Sequence, residues 1–203
     1  MAVIYLASRS PRRRELLVQM GVKFEMLLFR EGTRQDADTV EDPLPGEPPD
    51  DYVRRVTRLK VDAAWQRVVM RKGLRRMPVL AADTTVALAN EMLAKPADAA
   101  DAARMMRLLA GTRHRVLTAV AVAHEGRVEM RVSESLVTFC PLDEARIDAY
   151  VASGEPFDKA GGYGIQGRAG AFVSRLEGSY TGVMGLPLFE TGELLREFGI
   201  TVP

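Results

Sequence analysis

Strand-like and helix-like stretches alternate along this 203-residue chain, and that order constrains its fold more than any other feature. The β-type patterns of Arg115–Ala123 and Arg127–Phe139, joined by His124-Glu125-Gly126, predict a hairpin. Amphipathic stretches lie between the apolar runs, as in the helix expected from Asp98 to Gly111. Interleaved strands and helices predict an α/β protein, and the hairpin excludes a purely parallel, doubly wound sheet.

The N-terminal segment predicts a strand, a turn and a helix in succession. The apolar run Ala2–Ala7 is followed by Ser8, by Ser10 and then by Pro11. Ser10 suits the N-cap, and Pro11 suits the first helical position because its missing amide would have no intrahelical partner there. Free backbone N–H groups, two hydroxyls and the guanidiniums of Arg12–Arg14 would then lie together. We interpret this as an anion site, for phosphate above all, with a solvated basic helix start as the alternative.

Composition narrows the class of protein. With 47% hydrophobic and 27% charged residues, the chain can form one ordinary domain over residues 1–203. The net charge of +1 predicts neither a nucleic-acid nor a membrane partner. A lone cysteine, Cys140, excludes an internal disulfide and a cysteine-built zinc site. The first apolar run is too short for a secretory leader, so we expect a cytoplasmic protein.

Asp83 is the first candidate for chemistry. It ends the apolar run Val79–Ala82, where we expect a strand to reach the surface and ligands of α/β sheets to collect. A carboxylate there could hold a divalent cation or take a proton from water. The alternative is a turn aspartate, although Thr84-Thr85 continue the strand pattern and leave no helix to cap.

Two lysines are candidate phosphate ligands. Lys95 precedes Pro96, which restricts the lysine backbone to an extended conformation. Lys60 falls on the helical face that carries Val53 and Val56. A solvated surface lysine is the alternative for Lys95, and a snorkelling side chain is the alternative for Lys60.

The glycine-rich segment Asp158–Gly167 is the third candidate. Its glycines allow a close approach of the backbone to a ligand, and Lys159 lies at its start. Gln166 carries a donor and an acceptor side by side, which suits the edge of a base. The spacing matches neither a P-loop nor a dinucleotide-binding fingerprint.

Taken together, these segments resemble the Maf family of nucleoside triphosphate pyrophosphatases along essentially the whole chain. The resemblance implies an elongated mixed sheet flanked by helices, with two lobes and a cleft, similar to inosine triphosphate pyrophosphatases. It also implies hydrolysis of a nucleoside triphosphate to the monophosphate and pyrophosphate with a divalent metal, Mg²⁺ or Mn²⁺. The matching segments are Leu6–Arg13, Ala82–Thr84, Lys95-Pro96, Asp158–Gly167, Ser179-Tyr180 and Val183–Pro187.

Residue roles follow from the same resemblance. Asp83 matches the family's catalytic acid, described as a proton acceptor. Arg12, Thr84 and Gln166 match the pattern of members that act on dTTP and UTP rather than on 7-methyl-GTP. The chain departs from the family at Ala94 and at Ala169, where glycine is frequent.

The negative charge of a nucleoside triphosphate suggests roles for the remaining candidate residues. Arg13, Lys60 and Lys95 would neutralise a triphosphate, which otherwise repels a nucleophile. We expect Ser8, Ser10 and Lys159 to contribute to substrate binding.

The long proline-rich loop over residues 30–50 leaves the metal site open. Because this loop is long, both Glu31 and Asp36 are candidates to join Asp83 as a metal ligand, and we favour Glu31. A 7-methyl-GTP pyrophosphatase and a non-catalytic regulator of cell division remain alternative functions, and a homodimer is left open.

Overall fold

The computed structural model describes residues 3–27 and 42–202, which form one mixed sheet with helices on both of its faces. The strands are β1 (Val3–Leu6), β2 (Lys23–Met26), β3 (Val79–Leu88), β4 (Glu91–Leu93), β5 (Arg113–His124), β6 (Arg127–Phe139) and β7 (Val173–Glu177). The helices are α1 (Pro11–Gln19), α2 (Pro49–Met70), α3 (Ala99–Leu109), α4 (Glu144–Ala152), α5 (Tyr180–Met184) and α6 (Leu188–Glu197). None of the helices in these two ranges is both long and apolar enough to cross a membrane.

The seven strands run in the order β2-β1-β3-β5-β6-β7, and β4 pairs with β3. β1 is parallel to β2 and to β3, whereas the other pairings are antiparallel. The predicted hairpin is confirmed as β5 and β6, paired from Arg113↔Thr138 to His124↔Arg127. The prediction of a mixed α/β sheet flanked by helices is therefore confirmed.

The middle of β3 lacks a neighbouring strand on one of its two edges, within the described residues. β1 pairs with β3 only at Tyr5↔Val79 and Leu6↔Leu80, after which the chain turns away into α1. On the same edge β4 begins to pair at Val86. Between these points, within the described residues, the edge of β3 has no neighbouring strand. This opening contains the residues around Asp83.

Two core regions lie at opposite ends of the long central strands, and the opening lies between them. One packs α1 and α6 against the sheet through Leu6, Leu16, Leu80, Leu186 and Leu194, all of which are buried. The other gathers around α3 and α4 through Val86, Met106, Val116, Phe139 and Tyr163. The long helix α2 covers the other sheet face, where Val61 packs near Tyr5 and Val79. The two core regions correspond to the two lobes that the resemblance implied, and we refer to the opening along β3 between them as the cleft.

His114 belongs to the second core region, as its sequence position in an apolar strand indicates. It is 1% exposed, and its Nε2 lies 2.7 Å from the Tyr163 hydroxyl oxygen. Burial lowers the pKa of the imidazole from 6.5 to about 4, so the ring is neutral at pH 7. We assign His114 to packing rather than to catalysis.

Several sequence-based boundaries were wrong. The residues over Phe24–Phe29 predict a second strand. In the structure this strand covers Lys23–Met26, and residues 28 and 29 lie outside the described ranges. The proline-rich loop was expected to reach Asp50, but α2 begins at Pro49, where a proline needs no amide partner. Helix α5 was not predicted, because its five residues include a glycine and are too few to show a helical period.

Candidate active site

The start of α1 forms the first wall of the candidate site, and its predicted capping is confirmed. The Ser10 hydroxyl accepts the Arg13 backbone N–H at 3.5 Å, and Pro11 occupies the first turn. The Ser8 hydroxyl in turn accepts the Ser10 backbone N–H at 3.2 Å. Leu16 and Leu17 are buried in the first core region and hold the helix against the sheet.

The Arg13 side chain connects three elements of the first lobe. Its Nε donates to the Gly185 carbonyl oxygen at 2.7 Å, and one terminal nitrogen donates to the Thr84 hydroxyl at 3.2 Å. The other terminal nitrogen lies 3.3 Å from the Ser8 hydroxyl oxygen. Gly185 has φ of +115°, a conformation that favours glycine and that ends α5. The guanidinium is therefore held in one orientation before any ligand arrives.

A chain of hydroxyl groups extends from Arg13 into the core. The hydroxyl oxygens of Thr84 and Thr118 are 2.9 Å apart, and Thr118 donates to the Gly182 carbonyl at 2.7 Å. Since Thr118 uses its proton on Gly182, Thr84 donates to Thr118 and accepts from Arg13. Thr118 is fully buried and was missed at the sequence level, because its role depends on the pairing Thr84↔Thr118 between β3 and β5.

We expect Thr118→Val to lower the free energy of unfolding by about 1–3 kcal/mol, because the substitution keeps the shape but leaves buried polar groups without partners. Urea denaturation measures the change. Thr138→Val is the matched control, since the Thr138 hydroxyl makes no hydrogen bond to any described residue; its effect should stay within about 0.5 kcal/mol. Equal stability of Thr118→Val and the wild-type protein would contradict the role of this hydroxyl chain.

Asp83 and Lys60 form an ion pair on the α2 face of the sheet. Lys60 Nζ lies 2.7 Å from Asp83 Oδ1, with side-chain exposures of 20% and 12% respectively. The lysine therefore has an ionic partner and is not merely a snorkelling side chain. The expectation that Asp83 ends its strand was wrong, because antiparallel pairing with β5 carries β3 on to Leu88. Asp83 reaches the cleft because β1 stops beside it.

Neighbouring residues of β3 make contacts on opposite faces of the sheet. Successive strand residues point to opposite faces, so Asp83 faces α2 and Thr84 faces α1 and α5. The Lys60–Asp83 pair and the Arg13–Thr84 pair therefore flank the opening in the sheet from opposite sides.

The glycine-rich segment brings the second lobe to the same opening. The Gly161 N–H donates to the Ala94 carbonyl at 3.0 Å, next to Lys95. Gly161 has φ of +69°, and a Cβ there would lie 2.9 Å from the Val86 side chain, so glycine is required. Lys95 is exposed and has no ionic partner among residues 3–27 and 42–202.

An ion-pair network joins the lobes across the cleft. Arg12 donates to Asp158 Oδ2 at 3.0 Å, and Lys159 pairs with the other carboxylate oxygen. Burial raises the pKa of the Asp158 carboxyl, but hydrogen bonds from Lys159 and Arg12 lower it by more. The carboxylate is thus ionised at pH 7, and it holds both cations close together.

Most of the predicted site residues fall into three hydrogen-bonded groups, whereas two of them belong to none. Direct hydrogen bonds connect Ser8, Ser10, Arg13 and Thr84 in one group, Lys60 with Asp83 in a second, and Arg12 with Lys159 through Asp158 in a third. Lys95 and Gln166 are exposed and make no hydrogen bond to these groups. Gln166 lies on the glycine-rich segment, with its Nε2 3.3 Å from the position of a Cβ on Gly164.

Asp83 is the predicted metal ligand that lies within the described residues. Within the described residues no three His, Cys, Asp or Glu side chains lie together, and the predicted ligand Glu31 and its alternative Asp36 are outside those residues. Asp83 supplies a carboxylate at the cleft. Mg²⁺ prefers such oxygens and often takes its remaining ligands from substrate phosphates and water, so Asp83 fits this type of site.

The fold and the site define an α/β protein in which the Lys60–Asp83 pair and the Arg13 guanidinium lie on opposite faces of one opening in the sheet, an arrangement of cations that suits an anionic ligand. Residues 3–198 match the family model described as Maf-like protein, and the chain belongs to this family.

Two relatives carry the name dTTP/UTP pyrophosphatase. The protein of Cupriavidus metallidurans is 57% identical over 199 residues, 98% of each chain, and that of Dechloromonas aromatica is 57% identical over 97% of each chain. Among solved structures, the Staphylococcus aureus Ham1 protein matches with a TM-score of 0.41 and 12% identity, over 68% of this chain and 71% of that chain.

Proposed function

We propose that this protein is a pyrophosphatase that hydrolyses dTTP and UTP to the monophosphate and pyrophosphate. The observation that carries the proposal is the half-buried Lys60–Asp83 ion pair at the opening of the sheet, opposite the fixed guanidinium of Arg13. The relatives named dTTP/UTP pyrophosphatase support the same reaction and substrates. Incubation with UTP, followed by chromatographic identification of UMP and pyrophosphate, tests the proposal; release of inorganic phosphate alone would contradict it.

Cationic side chains would offset the charge of the triphosphate. Arg13 belongs to α1, Lys60 to α2 and Lys95 to the segment between β4 and α3. Because Arg13 is already held by Gly185, Thr84 and Ser8, its charge needs no reorientation during the reaction. Such preorganised electrostatic stabilisation is commonly the largest contribution to phosphoryl-type catalysis.

Asp83 would act on the attacking water. In the proposed step the water oxygen attacks the α-phosphorus, and the bond to the oxygen that bridges to the β-phosphorus breaks. Pyrophosphate then leaves, Asp83 accepts one proton of the water, and the other proton stays on the oxygen now bound to the α-phosphorus, so that charge and atoms balance. Lys60 donates to Asp83 Oδ1 and thereby fixes the orientation of the carboxylate.

We extend the proposal to a divalent cation, Mg²⁺ or Mn²⁺, with Asp83, Glu31 and phosphate oxygens of the substrate as its ligands. For Asp83 this role is the alternative to accepting the proton directly. When bound, the cation supplies positive charge that offsets the charge of the phosphates. The carboxylate oxygens of such a set suit hard cations of this kind.

Activity is expected to depend on that cation. Pyrophosphate release from UTP should fall by at least about tenfold in excess chelator, because the positive charge that offsets the phosphates would be removed with the cation. Adding Mg²⁺ or Mn²⁺ beyond the chelator should restore the rate, which controls for damage to the protein. A full rate in excess chelator would contradict the metal dependence.

The alternatives receive less support. Arg12, Thr84 and Gln166 together favour pyrimidine nucleotides over 7-methyl-GTP, and Arg12 lies within the cleft network. The Lys60–Asp83 pair argues against a regulatory protein without activity, and it leaves a second role beside the activity open. The cytoplasmic location and the homodimer stay predictions.

A further inference from the structure

We propose that Glu155 is a positioning residue for base recognition, whose carboxylate fixes the segment that carries Lys159 and Gln166. The proposal rests on the proposed function, since it concerns how the same cleft distinguishes bases. Glu155 lies in the short 3-10 turn Glu155–Asp158, at the entrance to the glycine-rich segment. Nothing in its sequence context indicated this role.

The Glu155 carboxylate caps a 3-10 helix that begins 13 residues further along the chain. Glu155 Oε2 accepts the Arg168 backbone N–H at 2.9 Å, and Oε1 accepts the Ala169 N–H at 3.5 Å. These amides open the 3-10 helix Arg168–Phe172, whose N-cap residue, Gly167, has no side chain to satisfy them. Hydrogen bonds to an ionised acceptor are stronger than neutral ones, so this cap restrains the backbone directly after Gln166.

Gly167 shows how closely the carboxylate packs on the segment. A Cβ at Gly167 would lie 2.4 Å from Glu155 Oε1, so a larger residue would displace the carboxylate. The residue that follows Gln166 is thus in direct contact with Glu155.

The backbone of Glu155 fastens the other end of the segment. Its carbonyl oxygen accepts a hydrogen bond from Lys159 Nζ at 2.6 Å. The Lys159 side chain then passes Gly164, where a Cβ would be 2.9 Å from Lys159 Cε and 3.3 Å from Gln166 Nε2. One residue therefore holds both ends of the segment, and Lys159 fills its centre.

Tyr150 connects Glu155 to the core of the second lobe. Its hydroxyl oxygen lies 3.2 Å from Glu155 Oε1 and 3.2 Å from the Gly162 carbonyl oxygen, so its one proton serves two acceptors. Burial raises the pKa of the Tyr150 hydroxyl, which therefore remains a donor. The ring packs edge-on against Phe172.

Base discrimination depends on this restraint. The Gln166 amide can distinguish neighbouring donors and acceptors on a base only if its backbone is fixed, because displacements near 1 Å are known to impair such sites. Glu155 itself does not reach the base. It acts through the backbone on either side of Gln166.

Hydrogen exchange and kinetics of Glu155→Gln test the proposal together. In the nucleotide-free protein, the amides of Arg168 and Ala169 should exchange at least about tenfold faster than in the wild-type protein, because an NH₂ group replaces one acceptor. The ratio of kcat/KM for UTP to that for CTP should fall at least about threefold, through KM more than kcat. The matched control is Glu144→Gln, which removes a surface pair with Arg107 and should change neither quantity.

Each outcome decides a separate claim. Unchanged exchange in folded Glu155→Gln would overturn the restraint, and faster exchange with an unchanged UTP:CTP ratio would overturn its role in recognition. Should Glu155→Gln fail to fold, Tyr150→Phe removes only the hydroxyl that donates to Glu155 Oε1 and to the Gly162 carbonyl. It should show the same two changes to a smaller extent, and their absence would overturn the proposal. A wild-type protein inactive on UTP would contradict the proposed function whatever the exchange shows.

Discussion

Replacing Asp83 with asparagine is expected to reduce pyrophosphate release from UTP by more than about tenfold, equivalent to at least 1.4 kcal/mol of activation free energy. Asparagine keeps the size of the side chain in the middle of β3 but removes its charge and its ability to accept a proton. Its carbonyl oxygen can still accept from Lys60, so we expect the fold to persist. Initial rates at saturating UTP, together with far-ultraviolet circular dichroism, measure both effects.

Asp62→Asn is the matched control for this substitution. Asp62 lies on α2 two positions beyond Lys60, but it pairs with Arg58 on the surface of the helix. Its replacement should leave the rate unchanged, because isolated surface pairs contribute little. Retention of more than a tenth of the wild-type rate by Asp83→Asn would show that Asp83 is not the central catalytic acid.

Gln166→Glu is expected to lower kcat/KM for UTP and dTTP by about tenfold or more. Uracil and thymine present a carbonyl at C4 next to an N3–H donor, so an amide can donate to one and accept from the other. A carboxylate can only accept, and it leaves the carbonyl without a donor. The Gln166 amide makes no hydrogen bond to any residue in the described ranges, which leaves both of its groups for a base.

The control is Gln66→Glu, the same substitution at an exposed position of α2. Both variants add one negative charge, so a loss common to the two would reflect charge rather than recognition. If Gln166→Glu hydrolyses UTP as efficiently as the wild-type protein does, Gln166 does not recognise the base.

Elements with strong local signals were predicted well from the sequence. Ser10 and Asp98 cap their helices as expected, and the hairpin turn at His124-Glu125-Gly126 is confirmed. The place of Asp83 within its strand could not be predicted, because it depends on where β1 ends and where β5 continues to pair. Such partners are distant along the chain and leave no local pattern.

The candidate site also contains residues with a local sequence signal and residues whose partners are distant along the chain. Residue chemistry pointed to Lys60 and Asp83, a cation and a carboxylate within apolar patterns, and to the guanidiniums of Arg12–Arg14 as a group. Thr118 and Glu155 were missed, because their partners are set by strand register and by the path of the glycine-rich segment. A polar residue inside the apolar strand around Thr118 was a signal that could have been used.

The central claim is tested most directly by measuring kcat/KM for pyrophosphate release from UTP, dTTP, CTP and 7-methyl-GTP with the wild-type protein and Mg²⁺. We predict that UTP and dTTP lead, and that each exceeds CTP by about tenfold or more, since cytosine reverses the donor and acceptor that Gln166 would meet. A profile led by 7-methyl-GTP, or no pyrophosphate from any of the four nucleotides, would contradict the account.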